Sequence, residues 1–153
     1  MVVDRFGEFD NVSFVKCDSV SEIVSHAEVI ISCITDAKEL LCPYNNCFRE
    51  GCLVIPVHTK GFQNCDLFFD KVFGDDTGHL HEFRYFDRFR KYAELTDVLI
   101  GKEVGRESNG ERILSYNIGL GLHDALFATK IFGQLKDVCQ EVPMDRETEK
   151  FWI

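Results

Sequence analysis

Apolar positions along this chain follow two periods. Glu28-Val-Ile-Ile-Ser-Cys-Ile-Thr35 and Cys52-Leu-Val-Ile-Pro-Val57 are continuous apolar runs, the pattern of strands covered on both faces. Pro56 lacks a ladder donor and puts the end of the second run at an edge or bulge. Met1-Val-Val-Asp4 resembles the end of another buried strand, and Val12-Ser-Phe-Val15 a short extended piece. Ser19-Val-Ser-Glu22 fits a capping box, with Ile23, Val24 and Ala27 as the apolar face of its helix. Pro43 and Asn45-Asn46 break the segment from Leu40 to Glu50 into a loop or short helix. Asp66 to Asp70 predicts a helical turn, Lys71-Val-Phe73 a strand, and Phe83 to Ile100 a helix. A polar loop marked by Gly101, Gly105, Arg106 and Gly110 leads into a strand over Arg112 to Ile118. After Gly119 the apolar set becomes Leu120, Leu122, Ala125, Leu126, Ala128, Ile131 and Phe132, the spacing of a buried helix of about four turns.

Strands alternating with helices in buried runs predict an α/β fold, a partial Rossmann-like parallel sheet flanked by helices. At 153 residues the chain suffices for one domain. We expect it to span 1–135, including the last helix, with 136–153 as a polar tail.

A net charge of -9 argues against nonspecific nucleic-acid binding, which needs clustered cations. The one basic cluster, Arg84 to Lys91, alternates with aromatics. It reads as a nucleic-acid platform or as an amphipathic helix with solvated arginines, and the acidic balance favours the helix. The seven cysteines are odd in number and include no C-x-x-C, so reduced thiols in a cytoplasmic protein are expected. Cys33 and Cys52 fall inside the predicted buried strands, as small hydrophobes. His79 and His81 flank Leu80 as strand-borne metal ligands would, but a third ligand is not evident and no metal is expected. No apolar run approaches the length of a membrane span.

Glu94-Leu95, Gly101, Gly105-Arg106, Glu111, the strand to Ile118, Gly119 and Asp124 follow one another in an order that resembles the C-terminal signature of the ornithine cyclodeaminase/mu-crystallin family. The resemblance runs back more weakly to about residue 20. It implies an NAD- or NADP-dependent enzyme acting on an amino acid or imine by hydride transfer at an α-carbon, with deamination and cyclisation to proline in the cyclodeaminase branch. It also implies that much of a normal family member is absent. The sequence contains no Gly-x-Gly-x-x-Gly, which in the family precedes the strand that Val2-Val3-Asp4 resembles. The chain is therefore expected to begin inside the dinucleotide fold.

The family's catalytic carboxylate lies in Val-Gly-x-Asp-x-Pro-Gly-Lys-x-Glu-Leu, where this chain reads Val57-His-Thr-Lys-Gly-Phe-Gln-Asn-Cys-Asp66-Leu67. Val57, Asp66 and Leu67 align, and the catalytic position falls on Lys60. A desolvated Lys60 would serve as a base or hold a substrate carboxylate; a solvated lysine would do neither. His58 and Asp66 are the alternative proton carriers. By the same resemblance Asp4 is a ribose ligand, and Thr35, Asn117 and Gly119 flank the cofactor. For Asp124 the ordinary first-turn acid is the favoured reading. The alternative function is a shortened, non-catalytic homologue that binds or oligomerises through the exposed last helix, and a homo-oligomer is expected in either case. A flavodoxin-like or response-regulator domain shares the alternation, with Asp75-Asp76 as a strand-end acidic pair, but the order and spacing of its groups do not suit.

Overall fold

The computed structural model describes residues 5–7, 11–34, 41–57, 65–140 and 142–143. It forms two compact units, Met1–Gly119 and Leu120–Ile153. Asp4, Thr35, His58 and Lys60 lie outside the described residues.

The first unit is built on five parallel strands: β1 (Val29–Ser32), β2 (Leu53–Pro56), β3 (Lys71–Gly74), β4 (Tyr92–Glu94) and β5 (Ile113–Tyr116), in the order β1-β2-β5-β3-β4. The predicted α/β class holds. The short helix α1 (Val20–His26) precedes β1, and α2 (Thr77–Leu80) and α3 (Leu95–Leu99) lie between later strands. β5 enters last and fills the gap between β2 and β3, pairing Val54 with Leu114 on one side and Val72 with Leu114 on the other. All four residues of β3 and of β5 are buried, as expected of strands at the middle of a parallel sheet.

The capping box opens α1. Ser19 Oγ accepts the Glu22 N–H at 3.2 Å, and Glu22 Oε2 reaches back to the Asp18 N–H at 3.3 Å. The helix buries Val24 in the core beside Ile30, Phe48 and Val54, a contribution of about 1.5–3 kcal/mol for a fully buried side chain of this size.

Four expectations need correction. β1 is not covered on both faces: Val29 and Ile31 are 55% and 66% exposed while Ile30 and Ser32 are buried, because β1 is an edge strand with one packed face. The strand ends at Ser32, so Cys33 is exposed, whereas Cys52, just before β2, is buried. β2 is an interior strand despite Pro56. The N–H groups of Leu53 and Val57 donate to β1-side carbonyls, so the donor missing at Pro56 falls on the β5 side. There the paired register covers only Leu53 and Val54. Residues 12–15 form no strand.

The largest miss is the helix predicted over Phe83 to Ile100. A single 3-10 turn (Phe86–Arg88), β4 and α3 occupy that segment. Phe83, Phe86, Phe89 and Tyr92 recur every three residues, not every 3.6; the last three contact one another edge-on or tilted and Phe83 turns to Tyr116, so no helical stripe forms. Phe86 lies 5.7 Å from Phe89 and 4.8 Å from Tyr92, and Phe83 meets Tyr116 edge-on at 4.9 Å. Arg84 and Arg88 both lie against the Tyr85 ring, at 5.2 and 5.5 Å. Pairing β4 with β3 satisfies backbone groups that a helix would have used, beginning with Val72 N–H to Lys91 O at 2.9 Å. His79 belongs to α2 and His81 follows it, so the strand-like alternation of the two histidines is also absent.

The second unit contains α4 (Gly121–Leu135). The predicted buried helix forms, but none of its residues is buried: Leu122, Phe127 and Phe132 are 75%, 61% and 63% exposed. At 100° per residue His123, Lys130 and Gln134 form one polar stripe, and Asp124 and Thr129 interrupt the apolar side chains on either side of it.

Candidate functional site

Ligands of open parallel sheets bind beyond the carboxyl ends of the strands. In the first unit that rim begins at Asp75 after β3, at Glu94 on β4 and at Asn117 after β5. Asp75 ties β3 to β5 twice. Its N–H donates to Tyr116 O at 3.1 Å, and its Oδ2 accepts the Gly119 N–H at 2.8 Å. Gly119 has φ +95°, a conformation that disfavours any side chain, and a Cβ there would meet nothing within 4 Å. Asp75 Oδ1 is buried and has no hydrogen-bond partner among the described residues.

Asn117 is held beside this turn. Its N–H donates to Pro56 O at 3.1 Å, and its side-chain amide donates to Ser115 O at 3.0 Å and Ser115 Oγ at 3.2 Å. Asn117 and Gly119 thus stand together at the carboxyl end of β5. Asp124, in the first turn of α4, belongs to the second unit.

Glu94 organises the neighbouring rim. Its Oε1 accepts from the Thr77 N–H at 3.0 Å and from Thr77 Oγ1 at 2.6 Å, and these bonds hold its carboxyl below the ordinary glutamate value. Thr77 Oγ1 also meets the Tyr92 hydroxyl at 3.1 Å. Asp76 caps α2 through the His79 N–H and lies 3.1 Å from His79 Nδ1. Gly74 is needed beneath this cluster, because a Cβ there would come within 2.5 Å of Leu80 Cδ1 and 2.9 Å of the Tyr92 hydroxyl.

Asp66 is in the core. It opens a 3-10 turn (Asp66–Phe68), is 1% exposed, and accepts the Tyr116 hydroxyl at Oδ1. Its Oδ2 has no partner among the described residues. Burial raises the carboxyl to about 7 against the opposing Tyr116 bond, and the same burial raises the Tyr116 phenol. The structure therefore separates Asp66 from Asn117 and Gly119 in character: one is a closed, near-neutral acid, the others are rim residues.

Sequence reasoning missed Lys71. This first residue of β3 is buried, and its ammonium donates to Gly105 O and to Glu107 Oε2, each at 2.5 Å, with Glu111 Oε1 at 3.5 Å. Glu107 also holds Lys91 at 3.2 Å; the Lys71 and Lys91 contacts hold Glu107 below the ordinary glutamate value, and Glu111 is lowered first by accepting the Glu107 N–H and then by the Ser108 N–H and Lys71. Arg106 closes the same loop by donating to Glu111 O at 2.5 Å. The signature residues Gly105, Arg106 and Glu111 thus build a brace around Lys71 at the amino ends of β3 and β5. A cavity of about 220 Å³ beside it is lined by Lys71, Phe73, Lys91, Tyr92, Glu103 and Glu107 among others. The signal for Lys71 was an isolated cation inside a four-residue apolar strand, which requires an acidic partner.

Among the described residues no group of three or more His, Cys, Asp or Glu is arranged to hold a metal ion, and no helix is long and apolar enough to cross a membrane.

No family model matches the chain. It is 26% identical over 113 residues to the nodulation efficiency protein NfeD of Rhizobium meliloti, an alignment covering 69% of this chain and 35% of that protein. Its structure is similar to that of a probable ornithine cyclodeaminase from Bordetella pertussis Tohama I, with a TM-score of 0.63 and 18% identity over 82% of this chain and 44% of the other. It is equally similar, at 0.63 and 19% identity, to Thermococcus litoralis Δ1-pyrroline-2-carboxylate reductase in complex with NADH and L-proline, over 79% of this chain and 42% of that one. The chain spans about a third of the length of the curated relative it matches and less than half of either solved structure. At these identities what it shares with the two enzymes is the fold, a five-stranded parallel α/β sheet with flanking helices.

Proposed function

We propose that this chain is a portion of an NAD(P)-dependent enzyme of the ornithine cyclodeaminase type, acting on an amino acid or imine at its α-carbon. Residues 1–135 form its partial nucleotide-binding domain and 136–153 a tail, within a cytoplasmic homo-oligomer. The observation that carries this reading is the Asn117–Gly119 turn at the carboxyl end of β5, pinned by Asp75 and open beside Gly119. A nicotinamide, when bound, would supply the hydride acceptor or donor. Gly119 lets it approach the backbone, Asn117 fixes the turn's entry, and Asp75 sets the turn's height. Support comes from the order of Glu94, Gly105-Arg106, Glu111, Gly119 and Asp124, and from the similarity of the fold to two enzymes whose names carry this chemistry. Lys60 or His58 is the proton carrier in this reading, Asp4 and Thr35 complete the cofactor contacts, and Asp66 acts as the neutral acid behind Tyr116.

The test is oxidation of NADH or NADPH by the chain with Δ1-pyrroline-2-carboxylate, and reduction of NAD or NADP with ornithine or proline. Turnover that is lost in Lys60→Ala or His58→Ala supports the reading. Cofactor binding without turnover on any of these substrates contradicts the reaction.

A second reading, a non-catalytic homologue that associates through apolar surface, is favoured by the exposed Leu122, Phe127, Ile131 and Phe132 of α4 and by Val29 and Ile31 on β1. The name of the Rhizobium meliloti relative specifies no reaction and fits either reading.

A further inference from the structure

Tyr116 faces the core with its side chain and the rim with its backbone. Its hydroxyl donates to Asp66 Oδ1, and its ring meets Phe83 edge-on at 4.9 Å. Its carbonyl accepts the Asp75 N–H at 3.1 Å, and the next residue, Asn117, donates its N–H to Pro56 O at 3.1 Å. Asp75 in turn accepts the Gly119 N–H at 2.8 Å. One buried carboxyl is thus connected to three amides of the rim through a single residue of β5.

We propose that Asp66 is a positioning residue for this turn: while it keeps its proton it holds Tyr116, and through Tyr116 the Asn117–Gly119 turn, and when the proton leaves it lets both go. Asp66 and Tyr116 are both shut off from solvent, and a single donor meets the two carboxyl oxygens among the described residues. A charge placed there exchanges full hydration for one hydrogen bond, so the ionised form favours any opening that admits water. The Tyr116 bond favours the charge, but burial opposes it and is the larger effect, which holds the carboxyl up to about 7. The element that yields is the 3-10 turn of Asp66, closed by one Phe68 N–H to Cys65 O bond, because β5 is paired on both sides. Once Asp66 withdraws, the Tyr116 hydroxyl is a buried donor without its acceptor, and the end of β5 must shift to satisfy it.

Among the described residues the titratable groups that meet Asp66 are Tyr116 on β5 and Cys65 on its own turn, with Cys42 behind Cys65. Burial raises all three, the Cys65 and Cys42 thiols to about 11 and about 12, so none changes charge where Asp66 does. Protonating Asp75 would loosen the turn as pH falls, whereas the latch loosens it as pH rises, so the sign separates the two. An opened Asp66 has the ordinary value of 3.8. The ratio of released to latched turn therefore rises about tenfold per pH unit between 3.8 and about 7 and is level above that.

The test is amide hydrogen exchange of the unmodified chain, read by NMR from about pH 4 to about pH 8 and corrected for the intrinsic rate. Asn117 and Gly119 should lose protection about tenfold per pH unit up to about 7 and then level off. Low urea should not accelerate them, although it accelerates Leu114 through global unfolding. Asp66→Asn should hold their protection constant across the range. Tyr116→Phe should leave the turn released and insensitive to pH, while its urea midpoint still falls with pH because Asp66 stays buried. An acid with a structural role alone would move the midpoint and not the turn. Protection at Asn117 and Gly119 that stays flat or rises with pH in the unmodified chain would overturn the proposal, as would protection that urea removes in step with Leu114. These measurements on the unmodified chain decide the matter even if a variant does not fold. They need no cofactor, so the latch stands or falls separately from the enzymatic reading.

Discussion

Asp75 Oδ2 accepts the Gly119 N–H at 2.8 Å, joining the residue after β3 to the turn that ends the first unit, 44 positions away in sequence. The bond holds a glycine at φ +95° in place at the carboxyl rim of the sheet. The other Asp75 oxygen is buried and unpaired among the described residues, so the carboxylate bears a desolvation cost that the Gly119 bond only partly offsets.

Removing that carboxylate separates its two effects. Asp75→Ala should change stability by no more than about 1.5 kcal/mol, since a lost hydrogen bond is balanced by relief of an unpaired oxygen. It should weaken nicotinamide cofactor binding more than tenfold, because the turn is no longer held. Urea unfolding and a binding titration on the same preparation measure the two quantities.

Asp66 makes stability depend on pH. Its folded value of about 7 lies above the ordinary 3.8, so between the two the folded chain binds a proton that the unfolded chain has released. Stability attached to this group is fully present below about pH 3.8 and is lost as pH rises through about 7. The loss is on the order of 4 kcal/mol. Asp66→Asn, a fixed mimic of the protonated acid, should flatten this slope and be more stable than the parent at pH 8 (roughly a unit above the folded value). Urea midpoints across the acid-to-neutral range test it; a parent whose stability rises over that range would refute the assignment.

Lys71 is the keystone of the loop at the amino end of the sheet. Lys71→Met keeps the stem but deletes two ion pairs, to Glu107 and Glu111, and leaves Gly105 O without its donor. We expect a loss of about 1–3 kcal/mol, the cost of orphaning buried partners. Hydrogen exchange should accelerate at Glu107, Ser108 and Glu111, whose amides the loop orders, and not along β1.

The fold was legible where side-chain period and backbone pairing agree. The apolar runs at 29–32, 53–56 and 113–116 became strands, and Ser19 with Glu22 opened α1. It was not legible over 83–100, where an aromatic repeat of three resembles a helical face; the ring contacts that hold it are tertiary and leave no trace in local propensity. Which face of β1 is covered also depends on its place in the sheet, which no local pattern encodes. At the candidate site, the family resemblance points to Asn117 and Gly119, which the structure places at the carboxyl end of β5, whereas Asp75 stands in the sequence only as part of an acidic pair. Its bond to Gly119 spans a crossover that the sequence cannot foretell. Asp66 was singled out by alignment with a family pattern, while its burial against Tyr116 follows from packing alone.

The most direct test of the cofactor reading is a nicotinamide-fluorescence titration of the chain with NADH and NADPH, run beside Gly119→Val. The account predicts micromolar binding of one cofactor, weakened at least tenfold by a branched side chain at φ +95°. Absence of binding at millimolar cofactor, or binding that Gly119→Val leaves unchanged, would contradict it.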